Sequence, residues 1–195
     1  MINADADRGS TLIEMVTTLA IMSIAMAICT SGILEIYRLV NKTGSMATSQ
    51  AQINITFLHL DKELRYTTGV STPAVVGADW YVEYLTTASG TPICAELRLD
   101  VATAQLQHRT WTQGSTPLVP TAWMAMASQV SAAQPFTVLA PDTDAQYQRL
   151  RLTLSASDGA NTTATTASTD ITFTALNTST GTSSATVCTE GRVIP

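Results

Sequence analysis

Charged side chains are scarce in this sequence: Asp, Glu, Lys and Arg together make up only 13% of its 195 residues, against about 25% in an ordinary soluble domain. The net charge of −5 leaves no overall basic surface of the kind that binds nucleic-acid phosphates, so we expect no direct binding of nucleic acid. Hydrophobic residues nevertheless account for 45% of the chain. Either part of the chain avoids water, or neutral polar groups cover much of its surface.

Patterns that indicate catalysis or metal binding are lacking as well. The two histidines, His59 and His108, are expected on a helix surface and on a strand, and no Cys or His stands at the spacing typical of a zinc site. The GxSxG and HExxH motifs are absent. Asp142 and Asp144 match half of a calcium-binding loop, but an ordinary solvated turn has the same pattern. We therefore expect no enzyme, no cofactor and no metal site, and leave calcium open.

A long uncharged segment lies near the start of the chain. Residues 15–34 contain no Asp, Glu, Lys or Arg, and as a helix these twenty residues would span about 30 Å, the thickness of the hydrocarbon core of a bilayer. Its Ser and Thr hydroxyls can bond to backbone carbonyls one turn back. A secretory signal peptide is the alternative, but the residues before the segment lack a clear positive region and the apolar run exceeds about 15 residues.

One acid stands just before this segment, in the stretch GSTLIE at residues 9–14. A carboxylate at the centre of a membrane helix costs about 2.5–3.5 kcal/mol on insertion scales, and Glu14, near the end of the segment, should cost less. An acid that enters an apolar helix bundle still needs a partner, and such residues are functional by default.

This stretch resembles the prepilin-type cleavage and methylation motif of type IV pilin-like proteins, in which a short polar leader and a glycine precede a Thr-Leu-Ile-Glu stretch and an apolar helix. The resemblance implies that a membrane prepilin peptidase cuts after Gly9, and that Ser10 becomes the mature N-terminus and is N-methylated. It also implies that Glu14 pairs with the N-terminal amine of a neighbouring subunit during assembly. A buried pair of opposite charges offsets the desolvation that each charge would suffer alone.

The same resemblance implies a location. The chain would cross the bacterial inner membrane once, with its C-terminal head outside, and then join a periplasmic or extracellular fibre. Its implied partners are the membrane, the prepilin peptidase and other pilin or pseudopilin subunits. The distribution of Lys and Arg around the apolar segment does not itself favour this orientation, which follows from the motif.

The helical pattern continues beyond the apolar segment. An apolar stripe recurs at steps of four, three and four residues and consists of Ile53, Phe57, Leu60 and Leu64. Asp61 and Arg65 are spaced for a surface ion pair on the outer face. The predicted organisation is a leader at residues 1–9, a helix at 10–68 with its transmembrane part at about 12–36, and an exported head at 69–195. Residues 58–67, LHLDKELRYT, resemble the corresponding part of J-type pseudopilins and similar minor pilins.

The head has the composition of a β-structure. Alternating apolar and polar residues predict strands at 80–85, 93–99, 105–111, 147–154 and 171–176, the second and third forming a hairpin. Prolines mark a loop-rich middle between residues 117 and 141, and Ser- and Thr-rich loops are predicted at 155–168 and 177–186. The aromatic residues at positions 80, 81, 84 and 111 are expected in the core, or on a ligand-binding surface. The predicted fold class is α+β: a long N-terminal helix packed on a mainly antiparallel β-sheet head, as in pilins.

Two of the three cysteines fall in the head. Cysteines in an exported domain usually pair, because that compartment is oxidising, so we predict a disulfide between Cys94 and Cys188, with two unrelated buried thiols as the alternative. In the chain-entropy model such a long loop gives about 4–5 kcal/mol of stability. Cys29 lies within the apolar segment and is expected to be a small residue that faces lipid or a neighbouring helix.

The function predicted from the sequence is a minor pilin or pseudopilin, a structural subunit of a type IV pilus or of a type II secretion-like fibre. The head does not distinguish a pilus from a secretion or DNA-uptake system, nor a tip or initiating subunit from a shaft subunit. A signal-anchored exported protein that binds sugar or cell wall, without joining a fibre, is the alternative.

Overall fold

The computed structural model describes residues 11–156 and 168–193. Its contacts divide the chain after Gly44 into two compact units. The chain combines a long N-terminal helix with a mainly antiparallel β-sheet head, which confirms the predicted α+β class.

Helix α1 runs from Leu12 to Arg65. In its first part, Ser and Thr hydroxyls donate to carbonyls three or four residues back at 2.8–3.0 Å, as predicted; they belong to Thr17, Thr18, Ser23 and Ser31. The helix ends three residues before the predicted boundary at 68. Residues of β-branched type follow, and Thr67–Val70 forms a strand instead.

The part of α1 that lies in the second unit buries one face. The predicted apolar stripe is confirmed, since Ile53, Phe57, Leu60 and Leu64 are each at most 5% exposed. Beside this buried stripe, Nη2 of the half-exposed Arg65 lies 2.7 Å from Oδ2 of Asp61, which confirms the predicted surface pair. Because these apolar residues recur at the period of a helix, they form one face, and through this face the end of α1 packs on the β-structure.

The first sheet has six described strands: β1 Thr67–Val70, β2 Ala74–Val76, β3 Asp79–Thr86, β4 Ile93–Asp100, β5 Gln105–Thr112 and β6 Met124–Ser128. The order is β1-β3-β4-β5-β6, with β2 also paired to β3, and all pairs are antiparallel. The hairpin of β4 and β5 is in the predicted place, with Asp100 opposite Gln105. Ala104, in its turn, has a positive φ of 52°.

The second sheet contains β7 Val130–Ser131, β8 Phe136–Leu139, β9 Gln148–Ala156 and β10 Ser168–Ala175. Its order is β10-β9-β7, and β8 also pairs with β9. Strands β9 and β10 were predicted. Strands β6, β7 and β8 lie where the sequence predicted a loop-rich middle, because short strands between prolines carry too few residues to show alternation.

The main core lies between α1 and the inner faces of both sheets, and Tyr84 is fully buried in it. Trp111, 3% exposed, belongs to a second small cluster with the two cysteines of the head. Tyr81 is also buried, and Trp80 is half-buried against the main core. The expectation that these aromatics build the core is confirmed for Tyr84 and Trp111, which lie in two different clusters, whereas the buried Tyr81 belongs to neither and contacts the Trp123 ring.

The two predicted loops differ in how far the structure describes them. Most of the first, residues 155–168, lies outside the described residues. The second, residues 177–186, contains no helix or strand but is held to the sheet by the buried Gln148. The amide Nε2 of Gln148 donates to Thr182 O at 3.0 Å and to Ser184 Oγ at 2.9 Å.

Candidate functional site

Glu14 lies in the first turn of α1. Its backbone N–H donates to Thr11 O at 2.9 Å, and its side chain is exposed beside exposed Leu12 and Ile13. The positive end of the helix dipole favours a carboxylate at this position. Gly9 and Ser10, the predicted cleavage and methylation residues, lie outside the described residues.

The first unit presents apolar side chains on all sides of the helix. Within the stretch Leu12–Asn41 an 18-residue window has a mean hydropathy of 2.1, and every residue of the stretch is exposed. By length and composition this helix can cross a membrane, although a signal sequence near an N-terminus passes the same test. The core helix of a soluble protein is mostly buried, which this segment is not. It includes the predicted transmembrane part at 12–36, and an exposed pair, Glu35 and Arg38 at 3.6 Å, lies near its end.

The predicted disulfide between Cys94 and Cys188 is present in the head. It joins strand β4 to the residue just before a short 3₁₀ helix, Thr189–Val193, and both cysteines are buried, at 0% and 2% exposure. The two Cα atoms are 5.7 Å apart, within the usual range for a disulfide. The bond fixes the C-terminal segment to the outer face of the first sheet.

Aromatic packing holds the same segment. The indole Nε1 of Trp111 donates to Glu190 Oε1 at 3.2 Å. A Cβ added to Gly191 would overlap the Trp111 ring, so only a glycine lets the backbone lie this close to the indole.

A buried ion pair completes the attachment. Arg192 donates from Nε to Oε1 of Glu83 at 2.6 Å and from Nη2 to Thr72 O at 2.6 Å. Glu83, on β3, is fully buried. Because breaking such a pair leaves an uncompensated charge in the interior, this contact ties the end of the described chain to the sheet.

A second buried pair lies on the neighbouring strands. Glu96 of β4 stands opposite both Glu83 of β3 and Arg109 of β5, and its Oε2 accepts from Nε of Arg109 at 2.6 Å. Burial raises the pKa of Glu96, and the neighbouring Glu83 carboxylate raises it further. The Arg109 guanidinium lowers it, but the net result is a pKa of about 7. The Arg109 guanidinium carbon also lies 4.0 Å from the centre of the Trp123 ring, in a cation–π contact.

A third polar cluster lies between α1 and the inner face of the first sheet. The hydroxyl of Tyr84 donates to Oε2 of Glu63, and Nε2 of His108 lies 3.4 Å from the same oxygen. Burial opposes ionisation of Glu63, but hydrogen bonds from His108 and Tyr84 and the nearby histidine charges outweigh it and hold its pKa below the usual value. His59, on the helix surface as predicted, reaches the other carboxylate oxygen at 3.7 Å.

The sequence reasoning missed all three polar clusters. The sequence analysis assigned no role to Glu83, Glu96 and Arg109, because the C-terminal segment that contacts Glu83 and Arg109 lies about a hundred residues further along the chain. A signal for the third cluster was available, since His59 and Glu63 are four residues apart on a predicted helix and so share a face.

Asp142 belongs to an ordinary turn. Its Oδ1 accepts from the backbone N–H groups of Asp144 and Ala145 at 2.9 and 2.7 Å, and its Oδ2 accepts from Arg149 at 2.8 Å. These bonds favour the solvated-turn reading of this pattern. Within the described ranges, Cys94, Cys188 and Glu190 also have ligand atoms within 4.8 Å of one another, but the disulfide removes the thiolates that a metal would need.

Comparison with known families adds one match: the model of the prokaryotic N-terminal methylation motif matches residues 5–30. No curated protein and no solved structure gives a significant match to the chain. The matched motif is the cleavage and methylation signature of type IV pilin-like prepilins, as the sequence resemblance predicted. Residues 5–30 are therefore similar to the N-terminus of type IV pilin-like prepilins, and together with the apolar helix the match supports membrane anchoring.

Proposed function

We propose that this chain is a minor pilin or pseudopilin, a structural subunit and not an enzyme. It is inserted in the membrane and processed by a prepilin peptidase. Its N-terminal helix then assembles it into a type IV pilus or a type II secretion-like fibre. The observation that carries the proposal is the match of residues 5–30 to the methylation motif directly at the start of a helix of membrane-spanning length.

The position of Glu14 supports assembly through this helix. It is the sole charged residue of the stretch 12–34, and it lies in the first turn with its side chain exposed. In a packed bundle of such helices the carboxylate would be removed from water and would need an opposite charge within reach. The amine that cleavage after Gly9 creates at Ser10 would be such a charge, supplied by a neighbouring subunit.

The disulfide supports an exported head. Cystine bonds persist in oxidising compartments and are rare in the bacterial cytoplasm, so the Cys94–Cys188 bond favours the orientation with the head outside the inner membrane. In the finished state the head would then lie in the periplasm or on an extracellular fibre.

Leader processing tests the proposal directly. The full chain is produced with an active prepilin peptidase or with a catalytically inactive one, and the mass of the purified protein is measured. We expect loss of residues 1–9 with the active peptidase alone, leaving Ser10 as the first residue. A chain that stays whole, or that ordinary signal peptidase cuts within residues 22–31, contradicts the proposal and favours the signal-anchored alternative.

A further inference from the structure

The two histidines of this sequence are far apart along the chain, but they meet at one carboxylate in the head. Nδ1 of His59 lies 3.7 Å from Oε1 of Glu63, and Nε2 of His108 lies 3.4 Å from Oε2 of the same side chain. The carboxylate therefore stands between an imidazole from its own helix, α1, and an imidazole from strand β5.

These groups are suitable ligands for a divalent transition metal. Imidazole nitrogen and carboxylate oxygen are typical ligands of Zn²⁺, at bond lengths of about 2.0–2.2 Å, and tetrahedral ligands at that bond length are about 3.3–3.5 Å apart. The separation of 3.4 Å between Glu63 and His108 is close to this value. His59 and Glu63, four residues apart on a helix, present their side chains on one face.

The cluster is open to solvent on one side. The exposed fraction of the side chain falls from 50% for His59 to 26% for Glu63 and 7% for His108. The centres of the two imidazole rings are 6.3 Å apart, so His59 has to turn toward His108 for both to bind one ion. The exposed side chain of His59 has room for this rotation, while the buried His108 provides a fixed ligand at the inner end of the cluster.

A neighbouring side chain orients the central ligand. The hydroxyl of Tyr84 donates to Oε2 of Glu63 and lies 3.2 Å from Nε2 of His108, and Tyr84 is itself fully buried. Hydrogen bonds of this kind hold metal-ligating carboxylates in position.

We propose that His59, Glu63 and His108 form a binding site for one divalent transition-metal ion of the zinc type, with water completing the coordination. The bound ion would join α1 to β5 and stabilise the folded head, because a ligand that binds the native state alone shifts the unfolding equilibrium. The inference goes beyond the proposed fibre function and does not depend on it.

The test uses the full chain in detergent, without a polyhistidine tag and after treatment with a chelator. Titration calorimetry with ZnCl₂ should show one saturable site, and Zn²⁺ should raise the Tm of the head. His59→Ala and Glu63→Gln should each weaken binding by more than about tenfold, and Tyr84→Phe by about 10–100-fold. Asp61→Asn, on the same helix but outside the cluster, is the control and should bind Zn²⁺ as the unmodified chain does.

A second measurement does not depend on any variant. Because the sequence has two histidines, a histidine-labelled sample gives a simple NMR spectrum, and the signals of both imidazoles should shift as Zn²⁺ is added. Absence of saturable binding, histidine signals that stay unchanged, or equal binding by the unmodified chain and both ligand variants would overturn the proposal.

Discussion

Oε2 of Glu96 accepts a hydrogen bond from Nε of Arg109 at 2.6 Å, with 0% and 2% of the two side chains exposed. The other carboxylate oxygen of Glu96 is buried and has no hydrogen-bond partner among the described residues, and Glu83 stands opposite on β3. Burial and this second acid outweigh the guanidinium, so the pKa of Glu96 rises from 4.5 to about 7.

The raised pKa of Glu96 predicts a dependence of head stability on pH. The folded state binds the proton more tightly than the unfolded state, so the contribution is fully present below about pH 4.5 and is lost as the pH rises through about 7. A shift of this size corresponds to about 3 kcal/mol. Urea unfolding at several pH values between 5 and 8 should show the decline, and Glu96→Gln should reduce it.

Asp170→Asn provides the control for this pH series. Asp170 is paired with Arg151 on the surface, and that hydrogen bond holds its pKa below the usual value, outside the range tested. The slope between pH 5 and 8 should therefore not change in this variant. An equal slope in the unmodified chain and in Glu96→Gln would show that Glu96 is not the group responsible.

The disulfide predicts equal effects from its two halves. Cys94→Ser and Cys188→Ser each open the same loop, whose ends are 94 residues apart, and each should lower the free energy of unfolding by up to about 4–5 kcal/mol. The double variant should have a free energy of unfolding within about 0.5 kcal/mol of that of each single variant, because both substitutions remove the same bond. Denaturant unfolding checks this, with thiol titration of the unmodified chain as a control; clearly unequal single variants would argue against the bond.

Two leucines on α1, one buried and one exposed, provide a test and its control for the packing of the helix on the sheets. Leu60 is fully buried and Leu58 is 76% exposed. Leu60→Ala should cost about 2–5 kcal/mol, through lost burial and the cavity left behind, whereas Leu58→Ala should change stability by no more than about 0.5 kcal/mol. Urea unfolding of the two variants measures both effects. A similar loss of stability in both would contradict the described packing of the helix on the sheets.

Glu14→Ala tests the assembly role of the acid in the first turn. The variant should insert and lose its leader normally, since neither step needs the pairing, but its incorporation into sheared fibres should fall strongly. Glu35→Ala, which removes an exposed acid at the other end of the apolar segment, should assemble as before. Immunoblots of membrane and fibre fractions give both quantities, and normal incorporation of Glu14→Ala would refute the pairing role.

Local patterns in the sequence were sufficient for the helix and for the longer strands. A stripe at the period of a helix placed Ile53 and Leu60 in the core, and alternation over eight residues placed strands β4 and β5. Strands β6 to β8 could not be predicted in this way, because a strand of two to five residues is too short for alternation to differ from chance. Their place depends on pairing with β5 and β9.

The sequence alone determined the membrane-length helix, the acid at its start and the motif that precedes it, because each is a property of contiguous residues. Tertiary structure decided which charges are buried: Glu83 meets Arg192, and Glu63 meets His108, only after distant segments pack together. The physical reason is that hydrophobic periodicity records which face of an element leaves water. It does not record which other element covers the remaining face.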